Sequence, residues 1–163
     1  MFALELPHTS NCLVCGRGNP HGLRLSLHVD PATGIVTVPY TPMADHIGFE
    51  GIIHGGVIAT VLDEAMVWAA TWAGKRFCVC GELSVRFKES ATVGVPLLIT
   101  ARVDLKRSKL IAASGEVARS DGIVLAIATA KYIPLSDERN QQFIKTLVHE
   151  AHTAQASDAL RNG

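Results

Sequence analysis

The stretch GIIHGGVIATVLDEAM, residues 51–66, sets two adjacent carboxylates, Asp63 and Glu64, inside an apolar run. Stepping about 100° per residue over 55–72 puts Ile58, Val61, Leu62, Ala65, Ala69 and Trp72 on one face, as in a helix. The opposite face is not polar, because Gly56, Ala59, Thr60, Val67 and Ala70 accompany the acids there. A helix apolar on nearly every side is covered on nearly every side. The rest of the chain is therefore expected to wrap it.

The flanking sequence supplies strands. Residues 23–29 and 35–40 alternate around the turn DPATG at 30–34, and Pro39 and Pro42 close that hairpin. After Gly74 the period changes: Phe77, Val79, Leu83, Val85 and Phe87 form one face, against Cys78, Cys80, Glu82, Ser84, Arg86 and Lys88. The turn VGVP at 93–96 follows, then strands at 97–106, 110–119 and 123–133, the last two joined by Ser120-Asp121-Gly122. Five to six antiparallel strands with one long apolar helix predict an α+β domain, a curved sheet wrapped around that helix. The expected domain is the whole of 1–163, with a core over about 12–134. Residues 136–160 read as a second helix with Ser136 as N-cap and a stripe of Phe143, Ile144, Leu147, Val148 and Ala151.

Composition narrows the partners. The 163 residues carry fifteen basic and fifteen acidic side chains, so overall charge points to neither nucleic acid nor an anionic membrane. Between Leu25 and Gly74 there is no Lys or Arg, whereas 75–131 holds ten basic residues against five acidic ones. The N-terminus lacks a basic, apolar leader and no apolar run reaches the ~20 residues of a spanning helix, so a cytoplasmic location is expected. Cys12, Cys15, Cys78 and Cys80 could together make a tetrahedral zinc shell. Cys78 and Cys80 read instead as small strand residues, and Cys12 and Cys15, followed by Gly16 and Gly18, as a turn. No metal and no cofactor are expected.

The acids then need a reason. Asp63 has Ala59, Thr60, Met66 and Val67 as helical neighbours, and Glu64 has Thr60, Val61, Val67 and Trp68, so neither has a local cation. For Glu64 the first reading is a tertiary ion pair with Arg86, Lys88 or Arg102, or exposure at the helix edge. For Asp63 it is function, since a carboxylate among apolar groups is a costly arrangement that sites commonly carry. His54-Gly55-Gly56 opens the helix, where N–H groups lack intrahelical acceptors and suit negative charge developing on a carbonyl oxygen. Asp63 lies ~12 Å further along, too far to serve the same carbon within one chain. Two chains with antiparallel helices would bring Gly55 of one to Asp63 of the other.

HIGFEGIIHGGVIATVLDEA at 46–65, LSVRF at 83–87, VGVPL at 93–97 and TAKYIP at 129–134 resemble the hotdog-fold acyl-CoA thioesterases of the PaaI-like (4-hydroxybenzoyl-CoA thioesterase) superfamily. CLVCGRGNPHGL at 12–23 resembles the leader of one subgroup. The resemblance implies a homodimer or a tetramer built from dimers, with acyl-CoA bound at the dimer interface. It implies Gly55 N–H as the group polarising the thioester carbonyl, and Asp63 of the other subunit as nucleophile or general base. His54 would hold the helix entry or orient the thioester. Relatives carry Asn at the position of Gly48 and a hydroxyl on the strand holding Cys80-Gly81-Glu82; Glu64, His46 or Ser84 would substitute. Gly56, His46, Phe49, Val67 and Ser84 are the expected substrate contacts, and Lys106, Arg107 and Lys109 the expected contacts to coenzyme A phosphates. Two alternatives are a non-catalytic acyl-CoA binding module and a hydratase or dehydratase with an Asp/His pair.

Overall fold

The computed structural model describes residues 3–155 and 160. In chain order its elements are β1 (Leu4–Glu5), β2 (His8–Thr9), β3 (His28–Val29), β4 (Val36–Tyr40), β5 (Ile47–Phe49), β6 (Ile52–Ile53) and α1 (Gly55–Gly74). There follow β7 (Cys78–Phe87), β8 (Leu97–Arg107), β9 (Leu110–Arg119), β10 (Val124–Pro134), α2 (Asp137–Ile144) and β11 (Leu147–Val148). The main sheet is antiparallel, in the order β1-β3-β4-β8-β9-β10-β7. Helix α1 packs against β4, β7, β8, β9 and β10, so the sheet does curl around it. Every residue expected on the inward stripe, from Ile58 to Trp72, is buried. Gly115 of β9 lets the helix settle close: a Cβ there would come within 3.2 Å of Met66 Cγ and 3.3 Å of Leu62 Cδ2. Among the described residues no helix is long and apolar enough to cross a membrane.

Three expectations need correction. The alternation across β7 changes phase, because Lys131 pairs with Glu82 while Tyr132 pairs with Cys80, leaving Gly81 as an extra residue. Such a bulge sends the side chains before and after it to different faces. Cys78 and Cys80 therefore join Leu83, Val85 and Phe87 on the helix side, and Val79 turns outward. The second correction concerns 23–29, where β3 is just His28–Val29. The segment before it is tied to the N-terminal leader by Leu23 N–H to Leu13 O and Leu25 N–H to Val14 O, both 2.8 Å, and by Leu6 N–H to Leu27 O.

The third lies at the C-terminus, where the second helix stops at Ile144 rather than running to 160. The Thr146 N–H and hydroxyl both reach back to the Phe143 carbonyl, at 2.9 and 2.7 Å, and close a turn that ends it. Leu147 and Val148, expected on the helical stripe, instead form β11 against His8 and Thr9. Residues 156–159 of the expected helix lie outside the described residues.

Candidate active site

The head of α1 is built around His54. Its Nδ1 accepts from Gly56 N–H at 2.8 Å, and its own N–H donates to the His46 carbonyl at 2.9 Å. His54 is thus the N-cap, an imidazole doing what Ser or Asp usually does. The Gly56 N–H is taken up by this bond, so the expected donor pair becomes one: Gly55 N–H has no acceptor among the described residues. Gly55 also faces Phe87, whose Cζ would lie 3.3 Å from an added Cβ. A cavity of about 410 Å³ opens beside it, lined by Phe49, Ile52, His54, Gly55, Phe87 and Ser90 among others. Phe49, an expected substrate contact, sits here and is 79% exposed.

His46 belongs to the support of this head. Tyr40 Oη lies 2.8 Å from its Nδ1, which Met43 N–H also approaches at 3.3 Å. Gly48 is fitted to the same corner, since a Cβ on it would meet the His54 ring at 3.1 Å. Space, rather than hydrogen bonding, explains glycine at this position.

Further along α1, Gly56, Ala59, Thr60, Asp63 and Val67 form a stripe that the chain's own sheet leaves exposed or half-exposed. Asp63 is held from β10: Tyr132 Oη donates to Asp63 Oδ1 at 2.7 Å, with the Asp63 carbonyl at 3.1 Å. Burial, then the charge of Asp63, push the Tyr132 hydroxyl well above the ordinary tyrosine range, so it stays protonated and donating. Cys80, brought inward by the bulge, is the second neighbour; burial, then the Asp63 charge, raise its thiol to about 11. Tyr132 and Cys80 are absent from the sequence-level candidates. A tyrosine at an inward strand position, with a polar tip that needs a partner, is the signal that could have found the first.

Glu64 and Ser84 do not join Asp63. Glu64 points to the leader, where Cys12 Sγ lies 3.6 Å from its Oε1, and Trp68 Nε1–H donates to the same oxygen at 3.3 Å. No ion pair with Arg86, Lys88 or Arg102 forms, and burial pushes Glu64 up to about 7. Ser84 pairs with Thr129, Thr129 with Ser114 and Ser114 with Arg102, a cross-strand row on the sheet face away from α1. It lines an outer concavity with Arg86 and Arg102. The expected phosphate contacts lie at the far end of α1, where Lys106, Arg107 and Lys109 line a groove of about 460 Å³ with Gly74 and Arg76. Lys106 Nζ donates to the Ala73 carbonyl at 2.7 Å and so caps the helix C-terminus, leaving Arg107 and Lys109 as the groove's more available cations.

The matches to known proteins agree with this architecture. Residues 50–126 match the family described as the thioesterase superfamily, a span that contains all of α1 and its cap His54. Among solved structures, a thioesterase superfamily protein aligns with TM-score 0.70 and 24% identity over 76% of this chain and 60% of its own. The E. coli PaaI protein from the phenylacetic acid degradation operon aligns with TM-score 0.64 and 20% identity, over 70% of this chain and 81% of its own. A Streptococcus mutans protein bound to acetyl CoA aligns with TM-score 0.60 and 21% identity, over 64% and 83%. No curated protein matches the chain. The chain has the hotdog fold of these structures, and its residues 50–126 are similar to the thioesterase superfamily.

Proposed function

We propose that the protein is an acyl-CoA thioesterase that works as a homodimer, each site combining Gly55 of one protomer with Asp63 of the partner subunit. The observation that carries this is the division of labour along α1. A free N–H stands at its head beside a cavity, and an oriented carboxylate stands eight residues on, on a stripe the chain's own sheet leaves open. The edge of the sheet supplies the means of pairing. Among the described residues strand β7 has β10 on one side and no strand on the other, and it exposes Leu83 and Phe87 on its helix side. A long apolar edge of this kind calls for a cover. Two β7 strands joined about a two-fold axis would continue the sheet and lay the two α1 helices antiparallel.

In that arrangement the thioester oxygen accepts from Gly55 N–H as negative charge grows on it. The Asp63 carboxylate attacks the carbonyl carbon directly or takes a proton from the water that does. The tetrahedral intermediate then expels coenzyme A as its thiolate, which takes up a proton. Where water attacked, the acyl group leaves at once as the free acid; where Asp63 attacked, a water molecule hydrolyses the resulting Asp63 acyl anhydride to the free acid and restores the carboxylate. With Gly55 facing Asp63, the partner's Gly74 end lies ~16 Å beyond Gly55, which sets its Arg107 and Lys109 where coenzyme A phosphates would pass. Within one chain the hydratase reading lacks its pair: the neighbours of Asp63 there are Tyr132 and Cys80, while the Nδ1 atoms of His46 and His54 are engaged elsewhere. The acetyl CoA in the S. mutans structure supports an acyl-CoA ligand.

Subunit complementation tests the proposal. Gly55 is the first helical residue, where proline is tolerated, and His54 has the extended backbone proline asks of its predecessor (φ −58°, ψ 129°). Gly55→Pro thus removes the free N–H while keeping a helix start. Gly55→Pro and Asp63→Ala should each abolish thiol release from acyl-CoA. Refolded together they should regain about a quarter of wild-type activity, from the one intact site of each mixed dimer. Recovery absent despite mixed dimers would place both groups in separate chemistry.

A further inference from the structure

We propose that Cys12, Cys15 and Glu64 bind a zinc ion that fastens the N-terminal leader to the central helix. The turn at 12–16 is built as a sulfur clasp. Val14 N–H and Cys15 N–H point at Cys12 Sγ, at 3.3 and 3.5 Å, an arrangement that favours a thiolate there. Gly16 N–H closes the turn on the Cys12 carbonyl at 3.0 Å. A Cβ on Gly16 would sit 2.4 Å from both Cys12 N and Cys12 O, so glycine is what lets the chain turn so sharply. Both sulfurs then face the Glu64 carboxylate, and one ligand atom from each of the three residues lies within 4.8 Å of the others.

The distances suit zinc. With Zn–S of about 2.3 Å and Zn–O of about 2.0–2.2 Å, a tetrahedral ion requires its sulfur and oxygen ligands to stand about 3.5–3.7 Å apart. Cys12 Sγ and Glu64 Oε1 are 3.6 Å apart. Trp68 Nε1–H donates to that same oxygen, the kind of outer support that ligating carboxylates carry. Charge argues the same way. No lysine or arginine pairs with Glu64 among the described residues, and a divalent cation is what would let two thiolates and a carboxylate share one crevice. Thiolate ligands favour zinc over magnesium or calcium. Binding displaces the protons of both thiols, and solvent completes the shell. Cys78 and Cys80 take no part, since Cys80 lies by Asp63 and Cys78 Sγ donates to the Arg76 carbonyl.

The full-length chain, stripped with a chelator and kept reduced, is titrated with Co²⁺ and then Zn²⁺. One Co²⁺ per chain should bind with a thiolate-to-cobalt charge-transfer band that stoichiometric Zn²⁺ erases. Cys15→Ser should weaken binding beyond the roughly 10–100-fold typical of losing an outer partner, and Trp68→Phe should fall within that range. Cys80→Ser should leave stoichiometry and band unchanged. Absence of the band in the wild-type protein overturns the proposal whatever the variants do, as does a band that survives Cys15→Ser or is lost in Cys80→Ser.

Discussion

Tyr132 Oη stands 2.7 Å from Asp63 Oδ1, a hydrogen bond between the last long strand and the middle of the central helix. It spans 69 residues of sequence and fixes one oxygen of the carboxylate on a half-exposed position of α1.

Tyr132→Phe should therefore lower kcat more than it raises KM, by roughly 10-fold, because the carboxylate loses its positioning. Stability should fall by about 1 kcal/mol, the usual worth of one such bond. Steady-state kinetics alongside urea denaturation check this, and a mutant losing stability alone would make the contact structural.

His54→Ala removes the cap from Gly56 N–H but leaves the Gly55 donor in place. The expected cost is about 1 kcal/mol, or a melting temperature lower by about 2–4 °C. His54→Asn, which can also cap, should restore most of it. In both variants activity should stay well above that of Gly55→Pro, and equal losses in all three would assign the imidazole a chemical part.

Leu83→Glu puts a charge on the helix side of the uncovered edge strand. Light scattering should show a monomer with native circular dichroism, and thiol release should drop by more than about 100-fold as the shared site is lost. A fully active monomer would remove the two-chain site.

Acid should loosen the junction of the two chain ends. Burial works against the Glu5 carboxylate, but the Ser26 hydroxyl and the charges of His152, Arg17 and His28 outweigh it and hold Glu5 below 4.5. A folded value below the unfolded one means that the stabilisation is full above pH 4.5 and disappears as pH falls through the folded value. With Arg17 and His152 half-exposed, the contribution is below about 1 kcal/mol. Glu5→Gln should flatten the acid limb of a melting-temperature profile and leave neutral-pH activity alone.

The helix at 55–74 and the strands from 97 onward were legible because each runs for ten residues or more, long enough for its period to show through the register shifts at Val103/Leu105 and Val124/Ala126. What escaped was whatever depended on a partner far along the chain. Glu64 read as an acid in search of a cation, yet its partners are Cys12, 52 residues away, and Trp68. Tyr132 was not singled out within the strand at 123–133, because its partner Asp63 lies 69 residues away. Leu147 and Val148 fit a helical stripe equally well, and it was the strand at His8 and Thr9 that drew them into a ladder. At the candidate site, Asp63 and the His54-Gly55-Gly56 entry could be picked out from local pattern, while Ser84, on the polar side of its alternation as read, lies on the sheet face away from α1.

The surplus residue Gly81 has a consequence for how this strand can vary. Ahead of it and behind it, even- and odd-numbered positions swap destinations, so β7 is two independently addressed segments sharing one backbone. Excising that glycine would merely iron the ladder flat, with Glu82 still opposite Lys131 and Cys80 still opposite Tyr132; it is a chain that kept the residue but lost the kink that would rotate Cys78 and Cys80 out to the convex surface and deliver Val79 to the carboxylate.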